Sequence, residues 1–252
     1  MATKKKTKVN ADQPVELSIV IPIYNEEGIL SASVADLTEK LDADERLRGR
    51  SYELILSENG STDNTVAVAE ELATRHPQLR LLHSSEPNYG LAMRRGILAA
   101  KGEIVLCDEI DLCDVDFYAR ALEKIEGEGY DLVVGSKALD RSLDHRPAFR
   151  QLATRVLNGL FRVFLDFHGT DTHGLKAFRR ERLLSVIDRC VVDKDLFASE
   201  FVIRAERMHF RMTEIPVHIV EKRKPSINLI RRVPNVLKNI GRLVWVIRIT
   251  NR

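Results

Sequence analysis

The stretch LSIVIPIY, residues 17–24, decides the fold. It is apolar at both alternating positions and rich in β-branched residues, as expected of a strand covered on both faces. Four more runs share that character: YELILS (52–57), LRLLHS (79–84), EIVLCD (103–108) and DLVVGS (131–136). Helical patterns lie between them, at 28–42, 63–75, 90–100 and 116–126. Strands alternating with helices predict an α/β domain, a mostly parallel sheet flanked by helices on both faces. Ligands of such sheets bind beyond the carboxyl ends of the strands. Those ends read PIYNEE, SENGSTDNT, SSEPNYG, CDEIDLCD and GSKALD, all polar.

The second half continues with a long helix over 146–164, with apolar positions at Phe149, Leu152, Val156, Leu160 and Val163. DTHGLKAF follows, then a helix near 196–209 and a strand EIPVHIV at 214–220. The expected organisation is a polar, disordered tail over 1–15, one domain over 16–228, and an amphipathic helix over 229–252. In that helix Val236, Leu237, Ile240, Leu243, Val244 and Ile247 recur at helical spacing, with Lys238, Arg242 and Arg248 between them. It suits an anionic membrane surface, or packing on the domain or on a second copy in a homodimer.

Composition narrows the classes. A net charge of +2 over 252 residues gives no sign of a nucleic-acid partner. Three cysteines without a C-x-x-C pair point to a reducing, cytoplasmic compartment, with Cys113 a packing residue. No apolar run approaches the length of a transmembrane helix, and residues 1–15 lack an apolar signal core.

CDEIDLCDVD, residues 107–116, carries five carboxylates directly after the fourth strand. Residues two apart on an extended strand face the same side, so Glu109 and Asp111 are expected together and Asp108 opposite. Hard oxygen ligands of this kind suit Mg²⁺ or Mn²⁺, which commonly take one or two carboxylates plus phosphate oxygens and water. Asp108 is the alternative ligand in a register one residue earlier. Asp114 and Asp116 precede FYARALEKI and fit an N-cap and a first-turn acid.

Four pieces in order, Pro22-Ile23-Tyr24-Asn25-Glu26, Glu58-Asn59-Gly60-Ser61-Thr62-Asp63, Asn88-Tyr89-Gly90 and Glu109-Ile110-Asp111-Leu112, resemble the signatures P-x-Y-N-E, D-D-G-S-x-D, N-x-G and D-x-D-L of the inverting glycosyltransferase family 2. The resemblance covers residues 17 to about 228 and implies a GT-A (Rossmann-like) fold. It implies a nucleotide-sugar donor, GDP-mannose or a UDP-sugar, and a divalent cation on the diphosphate. Pro22, Tyr24, Glu26, Glu58, Gly90 and Asp108 would then line the nucleotide pocket. Glu109 and Asp111 would hold Mg²⁺ or Mn²⁺.

Within the family the chain is similar to the dolichol- and polyprenyl-phosphate transferases. V-V-G-S-Lys137, Arg146-Pro147-Ala148-Phe149-Arg150, Thr154, Asn158 and Asp171-Thr172-His173-Gly174-Leu175-Lys176 carry that likeness. It implies transfer of a hexose to a polyprenyl phosphate at the cytoplasmic membrane face. Lys137, Arg150, Thr154 and Arg223 would bind the acceptor phosphate, and Asp111, Lys137 and Arg150 would carry the transfer. His173 is a further candidate, for the diphosphate or as acid/base. For a soluble or glycan hydroxyl acceptor, Asp195 or Glu200 would be the base. A third possibility is a nucleotide-sugar-binding protein without catalysis. Departures from the pattern are Glu58-Asn59 for D-D, Glu109 for the first Asp of D-x-D, Lys137 for Arg, Arg146 for Trp, and Thr154 and His173 for Ser. EKRKPSIN also lacks the family's Gly between Arg and Ser.

Overall fold

A computed structural model describes residues 14–140, 148–217 and 229–249. Arg223, Arg146 and most of the expected tail lie outside the described residues, and Arg150 is described only by its place on a helix. In chain order the elements are β1 (Leu17–Ile23), α1 (Leu30–Ala43), β2 (Tyr52–Glu58), α2 (Thr65–Arg75), β3 (Leu79–Leu82), α3 (Tyr89–Ala99), β4 (Ile104–Cys107), α4 (Val115–Leu122), β5 (Leu132–Ser136), α5 (Ala148–Leu165), β6 (Lys176–Arg179), α6 (Arg180–Arg189), α7 (Phe197–Arg207), β7 (Met212–Pro216) and α8 (Leu229–Val244). Short π turns extend α4 through Glu123–Gly127 and α8 through Trp245–Ile249.

The seven strands form one sheet in the order β3-β2-β1-β4-β6-β5-β7. β1, β4 and β5 are buried at every position, as their unbroken apolar runs require. Strand parity divides the core. Leu17, Ile19, Ile21 and Ile23 face Val34 and Leu37 of α1 and Phe117 of α4 on one side. Val20, Ile55 and Val105 belong to the opposite layer, with Ile97 of α3, Phe201 of α7 and Leu243 of α8. Cys113 packs in the first of these layers.

After β1 the chain builds outward through β2 and β3, then returns to place β4 on the other side of β1. The loops after β1 and β4 therefore diverge at a switch point, where a crevice opens. The expected strands and helices are present within the described residues, the strand expected over 214–220 appearing as Met212–Pro216 with 218–220 outside them; β6 and α6 are additional. β6 has only four residues, too few to show alternation. α6 follows it at once, and Arg179 gives it no side-chain cap. Leu183, Val186 and Ile187, at helical spacing and buried, are the signal that could have marked it.

β6 runs antiparallel to both neighbours, with Lys176 opposite Cys107 of β4 and Val134 of β5. Its beginning, not its end, therefore lies at the polar edge of the sheet. The approach is close: a Cβ on Gly174 would stand 1.7 Å from the Gly135 carbonyl oxygen. Gly174→Ala is expected to cost about 3 kcal/mol or more in urea unfolding, since backbone must move to admit the methyl. Gly159→Ala, on α5 with nothing within 4 Å, should be neutral or stabilise by up to about 1 kcal/mol.

Candidate functional site

The first two loops at the polar edge are laced together. Asn25 takes a left-handed φ of 53° after β1, and its Oδ1 accepts the Thr62 N–H at 2.8 Å. In return the N–H groups of Asn25 and Glu26 donate to Ser61 Oγ (3.0 Å) and Thr65 Oγ1 (2.7 Å). Pro22 is buried, Glu26 half-buried and Tyr24 exposed on this rim. Glu58 is fully buried and accepts from the N–H groups of Ser61 (2.5 Å) and Ser84 (3.3 Å), with the His83 ring 2.8 Å away. It therefore anchors loops instead of presenting a carboxylate. Gly60 sits at φ 73°, and Asn59 Oδ1 accepts the Asn88 N–H. Asn88 in turn caps α3 by accepting from Leu91 N–H at 3.2 Å. Gly90 is buried where a Cβ would lie 1.5 Å from the Asp193 carbonyl oxygen, so its missing side chain serves packing.

The acidic cluster sorts by burial. β4 ends at Cys107, and residues 109–112 form a turn closed by Leu112 N–H on the Glu109 carbonyl (3.0 Å). Parity along a strand, the expected basis for grouping Glu109 with Asp111, therefore does not set their directions. The turn does: Ile110 is buried, Glu109 exposed and Asp111 half-buried. Asp108 is 1% exposed and accepts from Glu109 N–H (2.6 Å), Asp114 N–H (3.0 Å) and Tyr118 Oη–H (2.5 Å). Burial raises its carboxyl to about 7 against these donors. Asp114 caps α4 by accepting from Phe117 N–H at 2.9 Å, and Asp116 pairs with Arg46 and Arg120.

Across the sheet edge lies the cationic side. Asp171 is 1% exposed and accepts from His173 N–H (2.8 Å) and Lys137 N–H (3.3 Å), with Lys137 Nζ 3.9 Å away. Burial opposes its ionisation, but Lys137 and these donors outweigh burial and hold the carboxyl below the usual range. Lys176, which the sequence left unassigned, is 5% exposed and donates to the Gly174 carbonyl at 2.7 Å. Burial lowers its amine to about 8. It lines one pocket with Tyr89, Asp108, Glu109, His173 and Phe197.

Of the other sequence-derived candidates, His173 lies at this edge, while Glu200 and Asp195 serve the frame. Glu200 is fully buried, accepting from the N–H groups of Val191 and Val192 (2.7 Å) and from Arg204 Nε (2.7 Å). Asp195, at φ 65°, accepts from Asn235 of α8. His173 is exposed, with Nδ1 3.1 Å from Thr172 Oγ1. Thr154 lies half-buried on α5, one turn before Asn158, whose amide donates to the Thr170 carbonyl.

The family model for glycosyl transferase family 2 matches residues 18–186. The chain belongs to that family. Glycosyltransferase AglD of Haloferax volcanii is 29% identical over 253 residues, covering 99% of this chain, which spans 40% of the length of AglD. A dolichyl-phosphate beta-glucosyltransferase of Saccharomyces cerevisiae is 28% identical over 243 residues, 86% of this chain and 71% of the relative. The glucosyl-3-phosphoglycerate synthase of Mycobacterium tuberculosis, solved with Mn²⁺, UDP-glucose and phosphoglyceric acid, superposes with a TM-score of 0.60 at 22% identity, over 90% of this chain and 79% of that one. A Pyrobaculum calidifontis mannosyltransferase with GDP-mannose and Mn²⁺ gives 0.52 at 21% identity, over 84% and 59%. The mixed sheet is thus the GT-A fold of a family 2 glycosyltransferase.

Among the described residues no three His, Cys, Asp or Glu side chains converge on one point. A cation held by two carboxylates and completed by phosphate oxygens fits the accessible, all-oxygen pair Glu109 and Asp111. Asp111→Asn should keep its melting temperature and lose at least about tenfold in cation-dependent donor affinity by calorimetry. Asp108→Ala should instead unfold more easily by about 2 kcal/mol, because buried donors lose their acceptor. Lys176 gives a pH signature. Its folded pKa of about 8 lies below the usual 10.5, so the proton leaves as pH rises through about 8, and fold stability gains between those values. kcat/KM is expected to fall above about pH 8, and Lys176→Arg should move that fall upward, since Arg stays charged.

Proposed function

We propose that this glycosyltransferase transfers a hexose, with inversion, from GDP-mannose or a UDP-sugar to a polyprenyl phosphate at a membrane surface. The observation that carries it is the commitment of the base candidates. Both oxygens of Glu200 are held inside the fold by backbone N–H groups and Arg204. The Asp195 carboxylate is engaged by α8. A hydroxyl acceptor would need a base, for which Asp195 and Glu200 are the carboxylate candidates, whereas a phosphate monoester is already an anionic nucleophile at neutral pH. Similarity to a dolichyl-phosphate glucosyltransferase supports the same acceptor class.

In this mechanism Pro22, Tyr24 and Glu26 form the rim that receives the nucleoside, while Glu58 and Asn59 keep that rim in shape. Glu109 and Asp111 would hold Mg²⁺ or Mn²⁺, which supplies positive charge to the departing diphosphate. Lys137 and Lys176 add fixed cations near the same edge, and Asp171 positions Lys137. Arg150, Thr154 and Arg223 complete the acceptor-phosphate set by resemblance to the lipid-phosphate transferases. Attack by a phosphate oxygen on the anomeric carbon breaks the bond to the diphosphate, so no proton needs to be removed from the acceptor.

The test is transfer of radiolabel from each donor into an organic-extractable, acid-labile product, using detergent-dispersed polyprenyl phosphate with Mn²⁺ or Mg²⁺. Product from at least one donor is expected, and its absence with every donor overturns the proposal. Glu200→Gln should lose about 1–3 kcal/mol of stability and keep turnover within a few-fold when assayed cold. Loss of turnover with unchanged folding and donor binding would instead point to a hydroxyl acceptor.

A further inference from the structure

The apolar pattern of α5 would ordinarily face the core, yet most of it does not. Phe149, Leu152, Val156 and Val163 are each more than half exposed. Phe161 and Leu165 make the core contact instead. α8 repeats this arrangement. Its inner face is supplied by Ile240, Leu243 and Ile247, while Leu237 and Trp245, two turns apart, stand more than half exposed. α5 and α8 pack together, and an open apolar groove lined by Leu160, Phe164, Leu237 and Trp245 runs between them. The apolar residues already needed for folding are buried, so this exposed set is surplus to the core. A contiguous apolar surface of that kind marks an interaction site.

Charge decides the partner. Over Ala148–Leu165 and Leu229–Ile249 the chain has eight Lys or Arg and no Asp or Glu. Arg155, Arg162, Lys238, Arg242 and Arg248 are exposed. On α8, Lys238 and Arg242 flank the row Leu237, Gly241 and Trp245, instead of occupying the opposite face. A two-fold contact between copies would oppose this cationic face to itself, which like-charge repulsion disfavours. No described helix is long and apolar enough to cross a membrane.

We infer that α5 and α8 together form a docking face for the surface of an anionic phospholipid bilayer, with Phe149, Leu152, Val156, Val163, Leu237 and Trp245 inserted at the headgroup boundary and the surrounding Lys and Arg on the lipid phosphates. This deepens the proposal of a lipid-borne acceptor and rests on it for its purpose. Its geometry is independent, because none of the inserted side chains belongs to the transfer site, of which only Arg150 and Thr154 share α5. Docking would keep the polar sheet edge beside the layer in which a lipid phosphate lies.

The chain's single tryptophan, Trp245, is on the proposed face and reports on it. The full chain is mixed with phosphatidylcholine vesicles, or with vesicles also containing phosphatidylglycerol, and followed by flotation and by tryptophan emission. Flotation is expected only with the anionic vesicles, weakening with salt, with emission shifting to shorter wavelength. Lys238→Glu/Arg242→Glu should lower the partition by at least about tenfold, and Val163→Ser should lower it too, with both variants folded because these side chains are exposed. Transfer to detergent-dispersed polyprenyl phosphate should stay at the unsubstituted level in both. No flotation and no spectral shift with anionic vesicles overturns docking, and a dimer with Trp245 shielded overturns it in favour of a second copy. Transfer in detergent without vesicle binding removes only the docking face. Vesicle binding without transfer removes only the acceptor assignment.

Discussion

The antiparallel insertion of β6 between β4 and β5 is the contact on which the site depends. Had β6 run parallel, residues 171–176 would lie at the opposite edge of the sheet, a strand length from the acidic turn. Reversal instead sets Lys176 opposite Cys107 and Val134, and carries Asp171 and His173 to the edge where β1 and β4 diverge. The reversal needs the backbone of Gly174 to lie against the Gly135 carbonyl, a proximity that no residue with a Cβ tolerates without movement. The acidic and basic halves of the site, distant in sequence, are joined by that one packing constraint.

Buried acids then hold the edge in shape. Glu58, Asp108, Asp171 and Glu200 are each 1% exposed or less, and every one accepts backbone N–H groups from loop residues, Asp108 from its own loop and Glu58 and Asp171 also from a neighbouring one. A buried carboxylate is costly unless such donors converge on it, so each loop is confined to the geometry that supplies them. The division of labour among acids follows from burial. Those that brace loops are buried, while on the turn that drives Ile110 inward Glu109 is exposed and Asp111 half-buried.

LSIVIPIY and the runs like it were legible because two-sided burial leaves an unbroken apolar signature. The polar strand ends pointed to the edge at which the candidate residues gather, because loops beyond a buried sheet meet solvent. Asp114 and Asp116 were legible because a cap depends on local sequence alone. What was not legible depended on distant partners. The strand parity applied to Glu109 and Asp111 assumed that β4 continued, yet Asp108 ends it by turning inward to Tyr118, ten residues on. β6 is too short to announce itself, and its direction is a property of the sheet. Lys176 went unassigned because nothing in KAF shows that it is buried and lines the same pocket as Asp108 and Glu109. The apolar spacing of α5 was visible, but not which side the core would occupy.

The two lysines at the edge differ in how their charge is compensated. Lys137 has a countercharge in Asp171, whereas Lys176 is buried with its amine on a carbonyl oxygen and its pKa held to about 8. One cation is compensated and the other only in part. Under the proposed function a phosphate at that edge would supply the missing negative charge and raise the proton affinity of Lys176, and by linkage the protonated lysine would raise affinity for phosphate. The effect grows with the charge on the ligand. In the proposed transfer a diphosphate gains charge as its bond to the sugar breaks, and a buried cation beside it would favour the departing group over the intact donor, the differential that accelerates transfer.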